Sequence, residues 1–223
     1  MKVKPNIIAT NDGSSTIFSE ATGDHYHSLN GAETESNYVF IEMGLKNARK
    51  KFDAINILEV GMGTGLNLCL TYNHYILLDF KSVNYVALEP FPIDIEVADE
   101  LKFEFLNKDR SKELFHYLHR AKWNEKNQYD SGFSFEKVKE PLQTFESDQL
   151  FDLIYYDAFG PGFQPEMWNI EIISKICSLM SKDGMLVSYC AQGQFRRNLE
   201  ACGLKIEKLP GPPGKREMIR ARN

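Results

Sequence analysis

Three carboxylates stand where apolar, β-branched runs end. Glu59 follows Ile55-Asn56-Ile57-Leu58, Glu89 follows Val83-Asn84-Tyr85-Val86-Ala87-Leu88, and Asp157 follows Phe151-Asp152-Leu153-Ile154-Tyr155-Tyr156. After the first comes Val60 and then Gly61-Met62-Gly63-Thr64-Gly65, with a helical pattern opening at Leu66-Asn67. A strand, a tight glycine turn and a helix N-terminus form the place where α/β proteins grip a nucleoside-containing cofactor. Glycine is needed there because the backbone must bend sharply and come close to the ligand. The spacing is Gly-x-Gly-x-Gly, not the Gly-x-Gly-x-x-Gly of dinucleotide sites, and an acid precedes it. A pyrophosphate wants bare amide donors, whereas the amino-acid moiety of S-adenosyl-L-methionine also carries an ammonium that a carboxylate can hold. Glu59, Gly61, Met62, Gly63, Thr64, Gly65 and Asn67 are therefore candidate residues of an S-adenosyl-L-methionine site. An ordinary strand-to-helix turn without ligand is the plain alternative.

Ligands of open α/β sheets bind outside the carboxyl ends of the strands, where Glu89 and Asp157 also sit. Glu89 is placed to accept hydrogen bonds from the two hydroxyls of a ribose; otherwise it is a solvated strand-end carboxylate. Asp157 precedes Ala158-Phe159-Gly160-Pro161-Gly162. An acid there would face the methyl group of the cofactor, could hold an amine nucleophile, and could draw off its proton. Phe159 could stack on a base or wall off water. An Asp that merely caps a turn before a Gly-Pro loop is an equal alternative. Near the end of the chain, Gly211-Pro212-Pro213-Gly214 sets a rigid turn beside Lys215 and Arg216, which could hold phosphates or be a solvated hairpin tip. Arg196, Arg197, Arg220 and Arg222 add a modest basic edge. His25-x-His27 and His116-x-x-His119 lack a companion ligand set, so no metal is expected. Trp123 and Trp168 read as packing residues.

Several elements must position these groups. Ile7–Thr10 and Ser15–Phe18 flank Asn11-Asp12-Gly13-Ser14 and predict a β-hairpin. Asn30-Gly31-Ala32-Glu33 resembles a helix cap with an acid at its third position. It would open a helix to about Lys51 with Tyr38, Ile41, Leu45 and Ala48 on one face. Strand and helix then alternate: strand 55–60, helix 65–79, strand 83–89, helix near 93–103. Residues 104–130 break the rhythm with one helix around 111–119 and a polar loop, and read as an insertion. Strand 133–138, a short helix from Pro141, strand 151–157, helix 165–180, strand 184–190, helix 192–202 and strands 203–208 and 217–221 follow. Repeated βα units imply a parallel sheet with right-handed crossovers. The last two strands are joined by a short loop and should form an antiparallel hairpin. The expected fold is α/β, a Rossmann-like class I methyltransferase architecture: a mostly parallel seven-stranded sheet ending in that hairpin. Residues 1–30 would form a small extension or lid, and 31–223 the main domain.

The 223 residues carry a net charge of −5, so any polyanion contact must come from local basic patches. Cys69, Cys177, Cys190 and Cys202 show no Cys-x-x-Cys pair and read as reduced core thiols. Met1-Lys2-Val3-Lys4-Pro5 lacks the apolar run of a signal peptide, and no stretch approaches the ~20 apolar residues of a membrane span. A cytoplasmic protein with no membrane contact is expected.

With those stretches assembled, the chain resembles the methyltransferase domain of the bifunctional tRNA-modifying MnmC family, including its stand-alone MnmD form. The resemblance rests on Asn11-Asp12-Gly13-Ser14, His25-Tyr26-His27-Ser28, Gly31-Ala32, Glu35-Ser36 and Tyr38-Val39-Phe40. It continues through Leu58–Asn67, Tyr156-Asp157-Ala158-Phe159, Pro165-Glu166-Met167-Trp168 and Ser188-Tyr189-Cys190-Ala191. It ends with Arg196-Arg197 and Gly211–Met218. It implies methyl transfer from S-adenosyl-L-methionine to the aminomethyl nitrogen of 5-aminomethyl-(2-thio)uridine at the tRNA wobble position, so the anticodon stem-loop would be the partner. Asp157 would then be the acid at the amine, Phe159 a wall of the base pocket, and Lys215 and Arg216 tRNA-facing residues. The resemblance stops short of the flavin-dependent oxidase of the bifunctional enzyme. No flavin domain is expected here, and the aminomethyl substrate would come from elsewhere in the cell. Strand 133–138 lacks the Gly-Asp end that would mark the adenine contact. Two other readings keep the fold: an enzyme acting on a small amine, by methyl or aminopropyl transfer, and a non-catalytic module that binds S-adenosyl-L-methionine.

Overall fold

The computed structural model describes residues 6–223; Met1-Lys2-Val3-Lys4-Pro5, on which the signal-peptide expectation rests, lies outside them. The predicted hairpin forms from β1 (Asn6–Ala9) and β2 (Ser15–Ser19). A third strand, β3 (Asp24–His25), pairs with β2 and makes a small antiparallel sheet. The following helix runs as α1 (Ala32–Ser36), a π-helical stretch Asn37–Leu45, and α2 (Lys46–Ala48).

Its cap is not the expected one. Gly31 takes the cap position and offers no side chain. The free amides are instead met by the hairpin turn. Ser14 Oγ accepts from Ala32 N at 3.1 Å and Glu33 N at 3.3 Å, and Asp12 Oδ2 accepts from Thr34 N at 2.9 Å. Burial works against a charged Asp12, but hydrogen bonds from Ser14, Thr10 and Thr34 outweigh it and hold the carboxyl well below the usual carboxylate range. A helix start of this kind, satisfied from a distant turn, ties the small sheet to the main domain.

The βα alternation then appears as β4 (Ala54–Val60), α3 (Leu66–Tyr75), β5 (Ser82–Leu88) and α4 (Ile95–Glu100). Residues 104–130 hold a 3-10 turn at Glu104–Asn107, α5 (Asp109–Arg120) and β6 (Lys126–Asp130). Phe105, Leu114, Phe115 and Leu118 of this segment are buried in the main core. The chain continues through β7 (Phe133–Val138), β8 (Phe151–Tyr156), α6 (Ile170–Ser178), β9 (Met180–Ser188), α7 (Gly193–Ala201), β10 (Lys205–Pro210) and β11 (Glu217–Arg222).

The main sheet runs β10-β11-β9-β8-β4-β5-β7-β6. The class of fold is the expected one, but the sheet has eight strands. Residues 126–130, expected as polar loop, add an antiparallel edge strand beside β7. Lys126, Asn127, Gln128 and Asp130 hide this strand from a pattern search, because an edge strand needs no apolar alternation. Two expected helices also differ. Pro141 opens only a turn, closed by Thr144 N to Pro141 O at 3.1 Å. The helix over 165–180 is split: Pro165–Trp168 is a 3-10 turn, and Asn169 caps α6 by accepting from Ile172 N at 2.9 Å.

Alternation along the strands sorts the two cores. Ile57, Tyr85, Phe135, Leu153, Tyr155 and Val187 face the α1–α2 helix, α3 and α5. Leu58, Val86, Ile154, Tyr156, Leu186 and Ile219 face α6 and α7. Both faces are covered, which is why these strands read as nearly continuous apolar runs. Each fully buried side chain of this size contributes roughly 1.5–3 kcal/mol. The helices therefore clamp the sheet from both sides and leave its carboxyl edge to carry the chemistry. Among the described residues no helix is long and apolar enough to cross a membrane.

Candidate active site

A cleft of about 940 Å³ opens over the carboxyl ends of β4, β5 and β8. Gly61, Met62, Gly63, Glu89, Asp157, Phe159 and Lys215 line it, so the structure gathers seven of the sequence candidates in one place. Glu59, Thr64, Gly65, Asn67 and Arg216 are not on its surface. The Pro141 turn, the 159–167 loop and residues 24–29 complete the walls.

The glycine turn is built tightly. Gly61 N and Met62 N both donate to Leu88 O at 3.1 Å. Asp157 N donates to Val60 O at 3.0 Å, which draws β8 against the turn. A Cβ on Gly61 would lie 2.6 Å from the carbonyl oxygen of Asp157, and the residue sits at φ +92°, so no other residue fits. Gly65 starts α3.

Glu89 accepts from Gly63 N and from Phe91 N, each at 2.9 Å. Burial pushes its carboxyl up, and these two amides oppose the shift. Each oxygen keeps lone pairs for further donors. A glycine turn that no Cβ could share, with a carboxylate at the next strand end, fits the methionine and ribose ends of S-adenosyl-L-methionine.

Asp157 stands on the cleft floor. Its Oδ2 accepts from Asn67 Nδ2 at 2.8 Å. The same nitrogen donates to Glu59 Oε1 at 2.9 Å. Burial pushes the Asp157 carboxyl up to about 7, and the charge of Glu35 adds to this, whereas Asn67 and Lys215 pull it down. Glu59 is fully buried beneath the turn. Burial above all, then the nearby charge of Asp157, raises it well above the carboxylate range against its bond from Asn67. Glu59 Oε1 takes the bond from Asn67, and Glu59 Oε2 is buried without a hydrogen-bond partner.

Lys215 is paired with a carboxylate. Its Nζ lies 2.7 Å from Glu35 Oε2 and 3.7 Å from the centre of the Tyr189 ring, on the cleft wall. Arg216, its neighbour, is exposed at the hairpin tip. Tyr189 OH in turn donates to Ala158 O at 2.9 Å, holding the residue after Asp157.

Four further residues contribute that the sequence did not assign to the site. His27 Nε2 is 2.8 Å from Thr64 Oγ1, and His119 Nε2 is 3.1 Å from Thr64 O, so two histidines grip the turn from opposite elements. Burial pulls both imidazoles down to about 4, helped at His27 by the charge of Lys215, and both are neutral near pH 7. The Tyr26 ring packs edge-on to Phe159 at 5.3 Å and fills the space a Cβ on Gly63 would need. Burial, then the charge of Glu89, lifts its phenol to about 12. Glu35 provides the carboxylate for Lys215. Among the described residues no cluster of three metal-ligating side chains occurs.

A family model described as S-adenosyl-L-methionine-dependent methyltransferase matches residues 108–223, more than half of the chain. The chain belongs to this family of S-adenosyl-L-methionine-dependent methyltransferases. It is similar to the tRNA 5-methylaminomethyl-2-thiouridine biosynthesis bifunctional protein MnmC of Aromatoleum aromaticum, with 29% identity over all of this chain and 36% of that protein. The MnmC of Campylobacter hominis is 28% identical over 92% of this chain and 31% of its own length. The chain thus spans about a third of the curated relatives it matches. The crystal structure of MNMC2 from Aquifex aeolicus superposes with a TM-score of 0.80 at 26% identity, covering 99% of this chain and 70% of that one. S-adenosyl-L-methionine is accordingly the cofactor of this methyltransferase, and the glycine turn at the end of β4 is the feature that fits it.

Proposed function

We propose that this methyltransferase acts on the aminomethyl nitrogen of 5-aminomethyl-(2-thio)uridine at the wobble position of tRNA. The observation that carries the reading is Asp157: a buried-edge carboxylate on the floor of the cleft, beside the glycine turn, in a chain similar to MnmC proteins over nearly its full length. Gly61, Met62 and Gly63 would hold the amino-acid end of the cofactor and Glu89 its ribose. When bound, the cofactor supplies an electrophilic methyl group on a sulfonium sulfur.

The chain's own residues supply the rest. An amine attacks only through its lone pair, so an ammonium must first give up a proton, and a neutral amine sheds one once it has been methylated. Asp157, ionised, accepts a hydrogen bond from the amine and takes that proton. Lys215 favours the ionised Asp157 and disfavours a second cation in the cleft, which selects the neutral amine. Phe159, Tyr26 and Met62 form an apolar wall that keeps water from the reacting atoms. The described part of the N-terminal extension, residues 6–30, whose stretch 24–29 lines the cleft, acts as its lid. Arg216, with Arg196 and Arg197, contacts phosphates of the anticodon stem-loop.

Binding of an anticodon stem-loop carrying 5-aminomethyluridine tests this reading. Phosphate contacts release counterions, so the logarithm of affinity should fall linearly with the logarithm of salt concentration, with a slope of about −2 to −4. A small-amine enzyme would show no stem-loop binding under conditions where it binds S-adenosyl-L-methionine.

A further inference from the structure

Lys215 and Glu35 are set into the cleft wall with most of their hydrogen-bonding capacity unspent. Lys215 Nζ lies 2.7 Å from Glu35 Oε2, yet the contact is not aligned as a hydrogen bond, and Oε2 takes no other donor among the described residues. Nζ otherwise faces the Tyr189 ring, 3.7 Å from its centre. An ammonium has several hydrogens to give and a carboxylate several acceptor sites. The Lys215 side chain is 29% exposed, so its donors remain open. Among the described residues Lys215 is the one Lys or Arg that lines the cleft. A clasp that only tied the two ends of the chain together would not need to line the cleft beside Asp157.

We propose that Glu35 and Lys215 read the identity of the base: the carboxylate accepts from N3–H of uracil and the ammonium donates to O4. This rests on the reading of the methyl acceptor as 5-aminomethyluridine. On that base the aminomethyl group is carried by C5. C4 with its oxygen and N3 with its hydrogen follow it round the ring. A base whose C5 substituent is held at Asp157 therefore presents O4 and N3–H to charged groups beside that carboxylate. A neighbouring cation and carboxylate match this edge, donor to acceptor and acceptor to donor. The ring faces are left to Phe159 and Tyr26, which meet at 5.3 Å on the cleft wall.

Cytosine carries the opposite pattern on the same edge, an amino group on C4 and a bare N3. In the cleft the Lys215 ammonium would meet amino hydrogens and the Glu35 carboxylate a lone pair. Both protein groups would then give up water without gaining a partner, which costs more than a matched bond gains. The pair thus selects uracil by rejecting cytosine, while Asp157 holds the amine in either case.

Methyl transfer from labelled S-adenosyl-L-methionine is measured on two anticodon stem-loops that differ only at the wobble base, 5-aminomethyluridine or 5-aminomethylcytidine. The wild type should favour the uridine in kcat/KM by about a hundredfold or more. Glu35→Gln, whose amide can turn a hydrogen towards N3 of cytosine, should lower that ratio about tenfold, chiefly by raising the cytidine rate. Glu35→Gln/Lys215→Met, which removes both charges, should bring the two rates to within about threefold of each other. A clasp that only holds the fold moves both rates together. A wild type that methylates both stem-loops equally, or variants that lose rate and keep the wild-type ratio, therefore overturns the proposal. Should Glu35→Gln not fold, the double variant, which leaves neither charge unpaired, decides between the same outcomes. A wild type that methylates neither stem-loop, while calorimetry shows it binding S-adenosyl-L-methionine, overturns the tRNA reading and this proposal with it.

Discussion

Lys215 Nζ and Glu35 Oε2 meet at 2.7 Å, joining the last hairpin turn to the first helix of the main domain at the wall of the cleft. The pair is held over the Tyr189 ring. It is the point where the two ends of the chain meet beside Asp157, and its charges reach that carboxyl from both sides: Glu35 raises it and Lys215 lowers it.

Removing the cation alone therefore acts twice. Lys215→Met leaves Glu35, whose side chain is 11% exposed, without its partner. A stability loss on the order of 1–3 kcal/mol is expected in chemical denaturation. The Asp157 carboxyl should also become a weaker acid, moving the acid limb of the rate profile to higher pH. The double variant Glu35→Gln/Lys215→Met should recover most of the stability.

The pH dependence follows from Asp157. Its carboxyl, pushed up to about 7 mainly by burial, must be ionised to take a proton. kcat/KM for methyl transfer should rise with pH to a midpoint near 7 and then level. Because the folded value lies above the unfolded one, the group favours folding fully below the unfolded pKa, and this is lost as pH rises through about 7. Asp157→Asn should therefore be more stable than the wild type at pH 8, by on the order of 1–3 kcal/mol, while losing about 10²–10⁴ in rate. A thermal melt of the two proteins at pH 5 and pH 8 checks the sign.

The two histidines on Thr64 work in the opposite direction. Burial lowers both to about 4, so the unfolded chain binds more protons between pH 6.5 and 4. Their contribution is present above pH 6.5 and fades as pH falls, at roughly 1–2 kcal/mol each. His27→Gln, which keeps a donor for Thr64 without titrating, should show a shallower loss of Tm between pH 7 and 5 than the wild type.

At Gly61 the obstacle is backbone. A Cβ there would lie 2.6 Å from the Asp157 carbonyl oxygen, at a φ that side chains avoid. Gly61→Ala should push β8 away from the turn and cost on the order of 2–4 kcal/mol, with cofactor binding and rate lost together. Calorimetric titration of the folded fraction with S-adenosyl-L-methionine measures this.

The central plan was legible in the sequence because it is local. Strands β4, β5 and β8 are covered on both faces, so each announces itself as an apolar run with an acid at its end. The glycine turn needs residues that few other structures need. What was hidden depends on contacts between distant segments. His27 and His119 meet at Thr64 with no shared spacing, and Glu35 is one acid among many until Lys215 arrives beside it. The bridge that Asn67 makes between Glu59 and Asp157 could not be read either, since it joins residues from β4, α3 and the end of β8. Strand β6 was missed for its polarity, and the cap of α1 because its acceptors lie in the turn at Asp12 and Ser14.

Methyl transfer itself tests the central claim most directly. Bulk tRNA from cells lacking this modification is incubated with methyl-labelled S-adenosyl-L-methionine and the protein, then digested to nucleosides. Label should enter a 5-methylaminomethyl-type wobble uridine with the wild type and should not with Asp157→Asn. If no label enters tRNA while the cofactor binds, or if Asp157→Asn transfers as fast as the wild type, the account is wrong.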